Sequence, residues 1–110
     1  MSIDKSHAVD GLGVSRVDGK IVLTIADHLA WRDTRQHFDL LEKKINAYLS
    51  FVASGQLYAA LPDARDREIR IELIHEHALD EKANELLTVV KEQLKSIGLE
   101  FTATTLPGGY

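Results

Sequence analysis

An aspartate beside a histidine, Asp27-His28, with the chain's lone tryptophan at Trp31, is the first place where these residues could do chemistry. A carboxylate can orient an imidazole and favour its charged form, which is the raw material of general base catalysis. The segment Asp27-His28-Leu29-Ala30-Trp31-Arg32-Asp33 leads from a β-prone run into a helical one. A connector over residues 56–67, carrying Tyr58, could close over it. Asp27, His28, Trp31 and Tyr58 are therefore the candidate binding surface, on which polar groups would have to converge. A structural reading stands against this. Sequence neighbours rarely hydrogen-bond through their side chains in that way, and Asp27 can cap a short turn while Leu29 and Trp31 fill the end of the core. The structural reading is preferred, and no residue is assigned as catalytic.

His75-Glu76-His77 is the second constellation. On a strand, alternate residues share a face, so His75 and His77 could offer two imidazoles to a metal if a third ligand came from elsewhere. Two ligands alone do not make a site, and the expectation is no metal and no cofactor. Other scans are negative. Gly11-Leu12-Gly13 opens like a dinucleotide fingerprint, but position 16 is Arg and a strand follows in place of a helix. There is no P-loop. With no cysteine there is neither a disulfide nor a thiolate site. The formal charge of −4 disfavours nucleic acid, and Arg65, Arg67 and Arg70 are interleaved with Asp63, Asp66 and Glu68.

The elements that must position these residues are legible from periodicity. Asp18-Gly19 separates two β-prone runs and suits a two-residue type I′ hairpin. With Val17 opposite Lys20, Val14 meets Leu23 and Leu12 meets Ile25, which gathers Leu12, Val14, Ile21, Leu23 and Ile25 on one face. Val17, Val22 and Thr24 face the other way. A helix follows from about Thr34 to Ser54, with Asp33 as N-cap and Gln36 placed for a capping box. Its stripe is Phe38, Leu41, Ile45, Tyr48, Leu49 and Val52, and Gly55 ends it. Glu68–His77 alternates as a strand, with Ile69, Ile71, Leu73, His75 and His77 on one face and Ile74 intruding on the polar one. A second helix runs from about Glu81 to Ile97, capped by Asp80 and stopped by Gly98. Leu99–Thr105 is the last strand.

The order is ββαβαβ, an α+β two-layer sandwich with four strands in one sheet and two helices on one face. The last two strands can be parallel, crossed over by the second helix. A chain of 110 residues with 45% apolar and 27% charged residues fits a single domain over 1–110. Its ordered core would span about 9–106, between short flexible termini. No apolar stretch approaches a membrane span and the start lacks a signal peptide, so a soluble, cytoplasmic protein is expected.

Lys20-Ile21-Val22-Leu23-Thr24-Ile25-Ala26-Asp27-His28-Leu29-Ala30-Trp31, then Glu42-Lys43-Lys44-Ile45-Asn46-Ala47-Tyr48-Leu49, Ser54-Gly55-Gln56-Leu57-Tyr58 and Pro62-Asp63-Ala64 resemble a family of short bacterial proteins classed as a domain of unknown function. The similarity runs from about Val9 to Leu106, and its most specific part is the strand leading into Asp27-His28-Leu29 and Trp31. It implies a common fold and assigns no site residues. The expected function is a small non-enzymatic protein-interaction module, with a protein partner or self-association as a homodimer, an immunity- or antitoxin-like role being one form of this. Apolar Val17, Val22 and Ile74 on the sheet's outer face motivate it. The alternative is a small-molecule-binding domain or enzyme built around Asp27, His28 and Trp31 with the 56–67 connector.

Overall fold

The computed structural model describes Ile3 and residues 9–105. The expected flexible start and the tail at 107–110 fall outside the described residues, apart from Ile3. The elements in chain order are β1 (Gly11–Val14), β2 (Ile21–Asp27), α1 (Thr34–Ala53), α2 (Gln56–Ala60), a 3-10 turn (Pro62–Ala64), β3 (Ile69–His75), α3 (Glu81–Ser96) and β4 (Glu100–Thr105). One four-stranded sheet has the spatial order β1-β2-β3-β4. β1 pairs antiparallel with β2, while β2–β3 and β3–β4 are parallel. The α+β sandwich is the one the periodicity predicts, and the connector holds the short α2 just before Pro62, where a turn of helix could pin it to the core.

The two central strands carry the same strict alternation, buried then half-buried from first residue to last. They pair in register, Ile21 beside Ile69, Leu23 beside Ile71, Ile25 beside Leu73 and Asp27 beside His75. Because the side-chain period of a strand is two, this puts one apolar ladder on the face under the helices. Phe101 of β4 extends it beside Ile71. Leu41, Ile45 and Tyr48 of α1 close the core from above together with Ala83, Leu87, Val90 and Leu94 of α3. Each fully buried Ile or Leu here contributes about 1.5–3 kcal/mol.

Both long helices start on aspartate caps. Asp33 Oδ1 accepts from the Gln36 amide at 3.1 Å, and Asp80 Oδ1 from the Ala83 amide at 2.7 Å. Gly55, at φ +86°, turns the chain out of α1. In the connector, Leu57 and Ala64 are buried, whereas Tyr58 and Leu61 are only half-buried.

The hairpin corrects the expected register. Leu12 lies opposite Leu23 and Val14 opposite Ile21, two positions from the pairing that an Asp18-Gly19 type I′ turn requires. Such a turn needs left-handed backbone at both central residues, and only Gly19 has it, at φ +74°. The strands are joined instead by a wider loop. The Ser15 amide bonds the Lys20 carbonyl at 2.8 Å, the Gly19 amide bonds the Ser15 carbonyl at 3.0 Å, and Asp18 Oδ1 accepts from the Lys20 amide. Arg67 holds the Gly19 carbonyl at 2.8 Å and Arg70 holds Asp18 Oδ2 at 2.9 Å. A shift of two leaves the faces unchanged, so Ile21, Leu23 and Ile25 still point inward. Val17 does not reach the outer face of the sheet: it stands in the loop, 96% exposed. Val22 and Ile74 do lie on that face and are half-buried there.

Candidate functional site

Parallel strands deliver their carboxyl ends to one rim of the sheet, where open α/β sheets commonly carry ligands. Asp27, His75 and Thr105 end the three parallel strands side by side. The Asp27 carboxylate is fully buried, and its partner is not His28. His37, one turn into α1, points Nε2 at Asp27 Oδ2 at 2.6 Å. Asp27 Oδ1 accepts from the Leu29 amide at 3.1 Å, the short turn allowed for in the structural reading. The Trp31 indole stacks on the imidazole, centroids 3.6 Å apart and planes within 7°. Thus β2 supplies the acid, α1 the base, and the linking segment folds its own aromatic over the pair.

The carboxylate and the imidazole have little left to give a substrate, although the Trp31 indole N–H is buried with no hydrogen-bond partner among the described residues. His37 Nδ1 faces the Ala30 carbonyl at 3.4 Å, so both ring nitrogens face oxygen acceptors and neither is turned to solvent. A shallow depression of about 410 Å3 lies beside it, lined by His28, Ala30, Arg32, Gln36 and His37 among others. Tyr58 is not part of that wall; its ring lies under the Arg65 guanidinium, 5.4 Å from the centroid. Of the four residues expected to form one surface, Asp27 and Trp31 come together in the interior, His28 is exposed, and Tyr58 belongs to a separate contact. The expected pocket of His28, Trp31 and Tyr58 is therefore not assembled.

The expected His75–His77 pair also separates. β3 ends at His75, so His77 is off the strand and exposed, while His75 is buried. His75 Nδ1 donates to the His77 carbonyl at 2.8 Å; a carbonyl can only accept, so Nδ1 carries the proton and Nε2 faces the Thr105 hydroxyl at 3.4 Å. No cluster of three or more His, Cys, Asp or Glu suited to a metal occurs among the described residues.

A second buried polar group lies farther along α1. Lys44 Nζ donates to Asp10 Oδ1 at 2.9 Å, and Asp10 Oδ2 accepts from the Ala26 amide at 2.9 Å. Tyr48 donates to the Thr24 carbonyl at 2.6 Å and accepts from the Asp10 amide at 2.9 Å. Lys44 also lies 5.6 Å from the Tyr48 ring centroid. Burial, with the Asp10 charge adding, pushes the Tyr48 phenol up to about 12, against the pull of the Asp10 N–H. The Ile3 amide bonds the Ala26 carbonyl at 2.8 Å, and its side chain is fully buried. These bonds tie α1 to the β1 side of the sheet. Sequence reasoning missed Asp10 and Lys44, and weighed His37 only as a third ligand for the His75–His77 pair, not as the partner of Asp27. The signal was available: His37, Leu41, Lys44 and Tyr48 are one helical stripe, so a histidine and a lysine sit at core positions.

The fold and site thus define a small α+β sandwich whose ionisable interior groups bond one another. The pattern of a family of unknown function (DUF6572) matches residues 1–107, and the chain belongs to that family. Neither a curated protein nor a solved structure matches it.

Proposed function

We propose that this chain is a cytoplasmic protein-interaction module without catalytic activity, and that it meets its partner along β4. The observation that carries the reading is the state of that edge. Among the described residues, β4 pairs only with β3. After Glu100 it runs Phe101-Thr102-Ala103-Thr104-Thr105, with no charge and no proline. Natural sheets blunt their free edges with charge, proline, bulges or short strands, because an open row of amides and carbonyls recruits another strand. Ala103, Thr104 and Thr105 are exposed. The buried Asp27–His37 pair, whose groups bond one another and the backbone, supports the non-catalytic part. No helix among the described residues is long and apolar enough to cross a membrane, which accords with the cytoplasmic part.

The test is site-specific photo-crosslinking in the cell of origin. A crosslinking residue at Thr104 should give a discrete protein adduct, and one at exposed Asp39 on α1 should give none. Absence of any protein adduct at both Thr104 and Thr102 rejects the reading.

A further inference from the structure

We infer that the β4 edge is completed by β4 of a second copy of this chain, antiparallel about a twofold axis at Ala103. The assignment rests on the interaction reading above and names the partner. It comes first from the contrast between the two edges of the sheet. β1 is four residues long with glycines at 11 and 13, and beyond it Asp10 and Ile3 bond Ala26 on β2. That edge is blunted. β4 is six residues long, rich in β-prone types and, among the described residues, unpaired on its outer side.

The strand is also self-complementary. Antiparallel residues facing one another point to the same side of the joined sheet, so a twofold at Ala103 sets Thr102 of one protomer opposite Thr104 of the other. Phe101 then faces Thr105, and Ala103 meets its own copy on the axis. Threonine pairs of this kind stabilise antiparallel ladders. Each chain carries a formal charge of −4, so two copies repel at a distance. The uncharged run 101–105 is where that repulsion is least, and Glu100 is held back by Lys20 at 3.0 Å and Arg70 at 3.2 Å of its own chain.

A strand of six residues, about 20 Å long, cannot alone cover the roughly 800 Å2 per partner of a stable contact. The rest would come from the α3 side of the groove beside it. Between β4 and α3 lies a trough of about 340 Å3 with Leu79, Leu87 and Phe101 on its floor and Asn84, Thr88 and Lys91 at its rim. A twofold normal to the sheet leaves both helical layers on the same side, so the two α3 rims meet across the junction. The product is a continuous eight-stranded sheet with four long helices on one face.

The experiment uses the purified full chain. Sedimentation equilibrium should give twice the monomer mass. The chain has no cysteine, so Ala103→Cys adds one thiol, and in this register the two copies place their Cα atoms about 4.5–5.5 Å apart, within disulfide range. Ala103→Cys should oxidise rapidly to a covalent dimer, at least tenfold faster than Val17→Cys in the exposed loop. Ala103→Lys faces two ammonium groups on the axis and should weaken the dimer at least tenfold, with unchanged circular dichroism. A monomer at all concentrations overturns the inference, as does a dimer indifferent to both substitutions at 103. In either case a foreign protein crosslinked at Thr104 would leave the interaction reading standing, whereas no adduct at either Thr104 or Thr102 would remove both.

Discussion

Replacing Asp27 by alanine tests whether the carboxylate–imidazole pair holds the fold. The substitution leaves the Leu29 amide and the His37 Nε2 proton without an acceptor, where the two side chains are 0% and 2% exposed. Breaking one partner out of a buried pair costs about 3–5 kcal/mol, against a total stability of about 5–15 kcal/mol for a domain. At 110 residues each kcal/mol moves the midpoint by about 4 °C, so Asp27→Ala should lower Tm by roughly 15 °C. His37→Phe keeps a ring against Trp31 but strands the carboxylate, and should cost as much. The double variant should be far better than the sum, with a coupling of at least about 2 kcal/mol. Urea denaturation followed by Trp31 emission reads this at the site, because the chain's one tryptophan stacks on the ring in question. A cost below about 1 kcal/mol, or strict additivity, would refute the structural role. A stabilised Asp27→Ala would point the other way, since residues kept for activity commonly cost stability.

Three more outcomes follow from the same contacts. Tyr48 holds its proton to about 12 in the fold and to about 10 when unfolded. The unfolded chain therefore binds fewer protons in that window, so stability should fall by up to roughly 3 kcal/mol from pH 10 to 12, and Tyr48→Phe should flatten that loss in alkaline urea melts. The hydrogen bond from Lys20, with Arg70 adding, holds the Glu100 carboxyl below its usual range. Its contribution is complete above the ordinary glutamate range and is lost as pH falls through the lowered value, so Glu100→Gln should reduce the acid dependence of stability, and added salt should do likewise. Gly19→Ala forces alanine to φ +74° with its Cβ 3.2 Å from Arg67 Nη1, whereas Gly55→Ala meets open space at φ +86°. Each should cost about 1–2 kcal/mol for the left-handed backbone, with Gly19→Ala the worse, and truncating Arg67 should narrow the difference in thermal melts.

Much of the fold was legible because the core obeys two simple periods. Ile69-Arg70-Ile71-Glu72-Leu73 alternates without interruption, and Ala83, Leu87, Val90 and Leu94 fall on one helical stripe. Caps at Asp33 and Asp80 could be read directly from residue type. Strand order could not, since parallel neighbours are chosen by packing between distant segments. The hairpin register slipped because a dipeptide preference says nothing of Arg67 and Arg70, which reach the loop from far along the chain. The candidate site was half legible for a similar reason. Asp27 and Trp31 stood out, but adjacency in sequence drew attention to His28, while α1 swings His37 over the end of β2. Lys44 is hidden in another way: its type suggests solvent, whereas its buried ammonium pairs with Asp10, supplied by the segment before β1.

The parallel pairing at the centre of the sheet also sets an order of events. β1 meets β2 across one short loop, and β3 meets β4 across α3 alone. β2 meets β3 only after α1, α2 and the connector have been spanned. Chain entropy must be lost in closing that longest loop before its ladder bonds can compensate. The amino-terminal hairpin and the β3-α3-β4 unit thus need the shorter closures. The seam between them, where Ile25 lies beside Leu73, carries the largest closure cost.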